Sequence, residues 1–466
     1  MTDAANRNLM RALSLTPATA LILANVIGTG VFVKARVMTC NVGSPELVLL
    51  VWLVAGVLSL AGALVYAELS SMMPRAGGEF HFIGAAFGRR WAFLYGWTKT
   101  ISLGASAAAI AILCVVFLND LVSGALPPLA LFLLPLLVIV FGTFFNLATV
   151  KVNGQVTTLL TCVKVGLVLM VGLGAFFFAD GDWGNFSLSG AEGACDGVPE
   201  SARMGVGGFG AAMLGALWGY NGWAIISALG GEVRNPKRNI PLALIGGTAL
   251  IITLYLVINA AYFYVLTPIE VASVSENSSV AFEVASRFTG PSVAAVISAC
   301  LMISAYGTLH TTLLSGPRVP FAMARAHLLP ARFSNLSERS VPAVAVVVIG
   351  AWSLVLAASG TFDVLTDIYV FVLWIFFAMN GAALIILRRR FPDFPRPYKV
   401  MGYPFVPMIF ILVALYLLIN TMLVTPWRAL AGLALILIGL PLYRIFEPRA
   451  NQHDPKAWLD EEDRAN

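Results

Sequence analysis

Apolar runs long enough to cross a lipid bilayer follow one another along almost the whole chain, with only short polar segments between them. A helix needs about 20 apolar residues to span the hydrocarbon core. In lipid every backbone N–H and C=O must be satisfied internally, so runs of this length are read as helices. About twelve spans are expected, near residues 17–38, 46–70, 92–118, 128–147, 154–179, 206–230, 241–266, 291–316, 341–358, 364–387, 404–424 and 427–446, with ends uncertain by a few residues. With 59% hydrophobic and 11% charged residues, the composition is that of an all-α polytopic membrane protein, not of a soluble domain.

Residues 1–16 are polar and lead straight into the first run, so no cleavable signal is expected. The net charge of +5 does not point to nucleic acid, because the basic residues lie in short loops between spans. Their distribution sets the orientation. With the N-terminus inside, the outer loops hold only Lys34, Arg36, Arg203, Arg287 and Arg428, while clusters such as Arg89-Arg90, Lys237-Arg238 and Arg388-Arg389-Arg390 fall inside. Both termini are therefore expected in the cytoplasm, with the protein in the plasma (inner) membrane. An outer segment over 180–203 is acidic, with Asp182, Glu192, Asp196 and Glu200, and reads as a solvated loop or a cation-enriching mouth. The tail after Glu447 turns polar, ends in Asp460-Glu461-Glu462-Asp463, and is expected to be mobile. The five cysteines and four histidines show no metal-ligand spacing, so no metal or other cofactor is expected. Buried free thiols are the default for such cysteines; Cys40 and Cys195 share the outer side and pairing between them is left open.

Two of the runs are interrupted. Ile27-Gly28-Thr29-Gly30-Val31 places two glycines in the middle of the first, each costing a helix about 1 kcal/mol relative to alanine. Taken alone, such glycines serve either to open the helix or to let two helices pack closely. Gly219-Tyr220-Asn221-Gly222 interrupts the sixth run midway, five spans later. Breaks at corresponding places in two five-helix halves mark a transporter site at the repeat interface, which favours opened helices. Exposed N–H and C=O groups would then face a cavity, the only surroundings in which lipid-depth backbone tolerates opening.

With these stretches in view the chain resembles the amino acid/polyamine/organocation transporters, and among them the L-type amino acid transporter branch. The resemblance rests on Ile27 through Phe32, on the connector Pro74-Arg75-Ala76-Gly77-Gly78-Glu79 running on to Trp97, and on Leu217 through Trp223. It also rests on Glu232-Val233-Arg234-Asn235-Pro236-Lys237-Arg238-Asn239-Ile240-Pro241, and on Arg318 through Pro330. These motifs sample spans 1 to 8; the last four spans agree only in hydropathy. The connector, with arginines and aromatics interleaved, reads from its residues as an interfacial amphipathic helix; the family implies that it bears a gate.

The resemblance implies a LeuT-like fold: two inverted five-helix repeats plus two extra helices, with helices 1 and 6 discontinuous. The corresponding domains are an N-terminus at 1–16, a first repeat at 17–179, an outer loop at 180–205, a second repeat at 206–387, helices 11 and 12 at 404–446 and a tail at 447–466. It implies that backbone N–H groups of Thr29, Gly30 and Val31 hold a substrate carboxylate, while carbonyls of Ile27, Leu217 and Gly219 accept from its ammonium. Gly28 and Tyr220 join the substrate-binding set, Trp218 aligns with an aromatic gate, and Asn221, standing where relatives are expected to carry a glycine or an acid, is either a further pocket residue or a packing residue. A zwitterion needs both kinds of partner, and an opened helix exposes both within a few ångströms.

Lys164 lies at the centre of span 5, where a lysine costs about 2.5–3.5 kcal/mol on insertion scales and is usually functional. By resemblance it acts as a built-in cation near the first break, in place of the ion that sodium-coupled relatives hold. His310 and Asn259 are polar residues inside spans 8 and 7 that could enter the site or serve packing. Neither break has a neighbouring acid, which argues against a cationic side chain in the substrate. The segment 119–127 lacks the cysteine by which some family members bind a glycoprotein, so no covalently linked heavy subunit is expected. The sequence thus suggests a sodium-independent exchanger of neutral L-amino acids, with no catalytic residues and no enzymatic activity. A cationic amino acid or polyamine antiporter, a proton-coupled importer and a membrane amino acid sensor are the alternatives.

Overall fold

A computed structural model describes residues 9–28, 30–122, 125–190, 195, 198–274, 279–289, 291–359, 362–424, 426–446 and 458. Thr29, Glu192, Asp196 and all of the tail beyond residue 446 except Trp458 lie outside the described residues. The protein is all-helical and polytopic. Among the described residues nine helices are long and apolar enough to cross a membrane, and Leu15–Val26, Gly205–Gly219 and Ala343–Ser359 are shorter apolar helices. The shortfall from twelve falls at the two interrupted runs and at the 17-residue helix Ala343–Ser359.

The first run forms α1 (Leu15–Val26) and α2 (Gly30–Val42). Then follow α3 (Pro45–Met72), the connector helix α4 (Glu79–Phe87), α5 (Arg89–Leu121), α6 (Pro128–Phe145) and α7 (Val150–Phe178). The sixth run is α8 (Gly205–Gly219) and the single turn α9 (Ile225–Ala228), followed by α10 (Pro236–Val265) and two short helices, α11 (Pro268–Ser273) and α12 (Val280–Thr289). The remainder is α13 (Pro291–Ser315), α14 (Arg318–Arg325), α15 (Ala343–Ser359), α16 (Phe362–Arg390), α17 (Phe405–Val424) and α18 (Pro426–Phe446). Local chemistry sets several starts: Ser44 and Thr149 each accept a backbone N–H at a helix N-terminus, and Thr267 and Glu270 form a capping box.

α1 packs among α7, α10 and α13, while α2 packs on α8. The interrupted helices are thus surrounded by protein, and apolar side chains such as Phe177, Leu423 and Trp427 point outward, as lipid-facing positions should. Beneath the breaks, on the side of α4, charge is concentrated and buried. Glu232 and Arg318 pair bidentately at 2.6 and 2.9 Å with both side chains fully buried, which joins two of the stretches that carried the family resemblance. Glu79 accepts from Tyr66 and Tyr95 hydroxyls, and Glu68 accepts from Arg388. The connector is tied to α9 through Gly77 N–H to the Ala228 carbonyl at 2.9 Å. Trp458 packs edge-on to Phe80 and His81. Burial, with Arg75 nearby, pushes the His81 imidazole down to about 3, so this connector histidine stays neutral.

One open alternative is resolved. Cys40 and Cys195 are not free thiols but a disulfide, closing α2 onto a segment 155 residues away. Burial in an apolar run suits a thiol, but tertiary contact at the end of α2 brings the second cysteine within bonding range.

Candidate functional site

Both interruptions open onto one cavity of about 110 Å³, taken as the space available to the centres of water molecules. Asn25, Val26, Gly28 and Gly30 line it from the first break, and Trp218, Gly219, Asn221 and Gly222 from the second. Ser106, Ile110 and Leu113 of α5 and Ala305, Thr308 and Thr312 of α13 complete the wall. Two residues without side chains let the breaks meet. A Cβ on Gly30 would come within 3.0 Å of Gly219 Cα and 3.1 Å of the Trp218 ring, so any larger residue would push the two interruptions apart. Gly222 holds a φ of +124°, a conformation that side chains rarely adopt.

Opening a helix frees carbonyls that must find partners. At the first break they are taken by side chains from other helices. Lys164, fully buried, donates from Nζ to the Ala24 carbonyl at 2.5 Å and to Thr308 Oγ1 at 2.8 Å. Tyr255 Oη lies 2.8 Å from the Val26 carbonyl and 3.0 Å from that of Gly219, reaching both breaks from α10. Ser304 donates to the Ile27 carbonyl at 3.3 Å. The Val31 carbonyl accepts from Tyr262 at 3.4 Å. Asn25 clasps the second break by donating to the Gly222 carbonyl at 3.2 Å, while its own Oδ1 accepts from Thr311.

The structure therefore brings Gly28, Gly30, Trp218, Gly219 and Asn221 together at the cavity wall, with Lys164 directly behind the first break. Ile27, Val31 and Leu217 are buried beside the breaks, outside the cavity wall. Tyr220 turns away from the cavity: its ring packs on Trp52 and Tyr255, and its hydroxyl donates to the Trp52 carbonyl at 3.1 Å. His310 faces α6 and α7 instead, with Nδ1 3.3 Å from Asn146 Nδ2 and Nε2 3.4 Å from the Asn153 carbonyl. Asn259 bonds back along its own helix to the Tyr255 carbonyl at 2.8 Å. Thr29 is outside the described residues.

Sequence reasoning missed Asn25, Tyr255, Ser106 and the polar face of α13. The last carried a readable signal, since Ser304, Thr308 and Thr311 recur at helical spacing inside an apolar run. Among the described residues lining the cavity there is no carboxylate, and no group of three or more His, Cys, Asp or Glu could hold a metal ion. The wall offers neutral hydrogen-bonding groups, a short apolar face and one aromatic.

Comparison with known proteins shows the family. The family described as "Amino acid permease" matches residues 13–439. The chain is 30% identical to the b(0,+)-type amino acid transporter 1 of Mus musculus, over 96% of this chain and 90% of the relative. It is 30% identical to the serine/threonine exchanger SteT of Bacillus subtilis (strain 168), over 94% of this chain and 97% of the relative. The cystine/glutamate transporter of Homo sapiens is 27% identical over 94% of this chain and 85% of that protein.

Proposed function

The chain belongs to the amino acid permease family, within the amino acid/polyamine/organocation superfamily, and as an amino acid transporter of that kind we propose that it exchanges neutral L-amino acids without sodium. The observation that carries this reading is Lys164. Its ammonium lies against the Ala24 carbonyl and Thr308, a fixed cation directly behind the first break. A bound sodium ion would need the same oxygens.

In this reading the substrate lies in the cavity between the breaks. Backbone N–H groups of Gly30 and Val31, at the start of α2, together with that of Thr29, hold its carboxylate, helped by the helix dipole. The carbonyls of Ile27 and Gly219 keep a second lone pair beside their present partners and accept from the ammonium, as would that of Leu217. Trp218 closes over the substrate, and Asn221 with Ser106 and Thr312 lies near its side chain. A cavity of this size, free of carboxylates among its described lining, favours small neutral side chains over the cationic substrates of an antiporter. The serine/threonine exchanger among the relatives supports the same size class.

Twelve spans then form two inverted five-helix repeats, 17–179 and 206–387, with 404–446 as the extra pair. The opened helices rock against the rest in alternating access. The lysine and arginine asymmetry supports both termini in the cytoplasm of a plasma (inner) membrane protein, which puts the Cys40–Cys195 disulfide on the oxidising outer face. The chain works without a covalently linked partner, since 119–127 has no cysteine. One relative, a large neutral amino acids transporter of Oryctolagus cuniculus, is by name a small subunit, so the point is worth testing by non-reducing electrophoresis from native membranes.

The deciding experiment is uptake of labelled serine or another neutral amino acid into sodium-free proteoliposomes, preloaded or empty. Strong uptake only into preloaded vesicles is expected. Equal uptake into empty vesicles would replace exchange with import, proton-coupled if it follows a pH gradient. Accumulation of arginine alone would establish the cationic antiporter. Saturable binding with no flux would make the protein a sensor.

A further inference from the structure

Phe80 and Gly84, one turn apart on α4, seat Trp458, the one described residue beyond α18. The rings of Phe80 and Trp458 meet edge-on at 5.3 Å, with the His81 ring beside them at 6.0 Å. Gly84 makes the room: a Cβ there would come within 2.5 Å of the indole. The half-buried Trp458 is also held by its main chain, since Arg75 Nη1 donates to the Trp458 carbonyl at 3.0 Å. Arg75 has further contacts of its own.

The connector begins against the second interrupted run: Gly77 N–H bonds the Ala228 carbonyl of α9, and Ala76 bridges to Leu229. Its helix α4 packs on α5 and α16, and α18, from which the tail leaves, packs on the same two helices. The connector thus stands between an opened helix and the helices against which that helix would rock. On this side the Glu232–Arg318 pair is fully buried, so the state described is closed there. A contact made in one state and lost in another lowers the first and slows departure from it. An indole set against two rings and a bare helix face, with a hydrogen bond at its own carbonyl, is a contact of that kind. We propose that the tail is a latch: Trp458, seated on α4 at Gly84, holds the connector side of the cavity closed and limits the rate of exchange. The inference rests on the exchange reading of the cavity.

The test compares the full-length parent with Trp458→Ala, with Gly84→Ala, with a chain ending at Arg449, and with Gly84→Ala in that shortened chain. Alanine is a better helix former than glycine, so Gly84→Ala keeps α4 while its methyl group displaces the indole. Serine exchange into preloaded, sodium-free proteoliposomes should run about three- to tenfold faster in the first three variants, as an equal shift in the closed population would give. Gly84→Ala should add nothing once the tail is gone, because the two changes remove one contact. Hydrogen exchange of the α4 amides, read on the purified proteins without substrate, should rise in Trp458→Ala and in the shortened chain. Rates and α4 protection equal to the parent's, or rates that fall, overturn the latch and leave the proposed exchange standing. An effect of Gly84→Ala that persists in the shortened chain overturns it too, since it would belong to the helix alone. A parent that moves no neutral amino acid overturns the exchange reading, and the α4 amides then decide alone whether the tail holds the connector.

Discussion

The two interruptions that frame the cavity are held open in different ways. The first is short, lying between Val26 and Gly30, and its freed carbonyls are taken by side chains of three other helices. Lys164 and Thr308 hold Ala24, Tyr255 holds Val26, and Ser304 holds Ile27. The second is longer, from Tyr220 to Ala224, and folds largely upon itself: Asn221 N–H bonds the Trp218 carbonyl and Ile225 N–H bonds that of Gly222. The first break makes one such bond, from Gly28 N–H to the Val26 carbonyl, and otherwise depends on groups far away in sequence, whereas the second adds only Asn25 on Gly222 and Tyr255 on Gly219 to its own turns. The first break should therefore be the more fragile of the two to remote substitution, and the second to local substitution.

The severest break of that contrast is Lys164→Ala. It removes the single cationic brace on Ala24 and leaves polar oxygens in a buried space without their strongest donor. Uptake should fall by about a hundredfold or more, as a loss of about 3 kcal/mol or more in a charge-assisted interaction would give, while the amount of protein in the membrane changes little. Near-normal turnover in a properly inserted variant would mean that the first break stands without its lysine, and the built-in cation would have to be abandoned.

Gly222→Ala tests the other side of the comparison. A methyl group there must adopt φ near +124° and would come within 2.5 Å of Asn25 Nδ2 and 3.1 Å of the Asn25 backbone carbon. Backbone strain of this kind costs about 1–3 kcal/mol, so uptake should drop by about five- to 150-fold and the detergent-solubilised protein should melt at lower temperature. A silent substitution would show that the second break is plastic and is not set by its own glycine.

This difference also explains what could be read in advance. Both breaks were legible because glycines in an apolar run are local signals, and Lys164 was legible because a charge at mid-span is rarely idle. The braces are another matter. Tyr255 is an aromatic among apolar residues, and only the packing of α10 against α1, beside the second break, brings its hydroxyl to two carbonyls at once. The pairing of Glu232 with Arg318, 86 residues apart, was hidden for the same reason, although both lay in stretches that carried the family resemblance. His310 and Asn259 drew notice for their polarity, yet a buried polar residue is often satisfied nearby. Asn259 finds a carbonyl one turn back, and His310 finds Asn146 and Asn153. Polarity inside a span marks a need for partners, and those partners need not belong to the site.

Tyr255→Phe is the gentlest probe, because it touches both interruptions through one hydroxyl. The ring would keep its place against Trp52 and Tyr220, at centroid distances of 5.1 and 5.0 Å, and only the bonds to Val26 and Gly219 would go. A neutral hydrogen bond contributes about 0.5–1.5 kcal/mol net, so uptake should fall by about three- to tenfold. Trapping each carbonyl's loss separately is the useful refinement. Were Tyr255 chiefly a brace for the first break, Lys164→Ala combined with Tyr255→Phe should be little worse than Lys164→Ala alone, because that break is already released. If it chiefly steadies Gly219, the two losses should multiply, since distant independent effects add in free energy. A multiplicative result would place the hydroxyl with the second break, as a second outside partner beside Asn25.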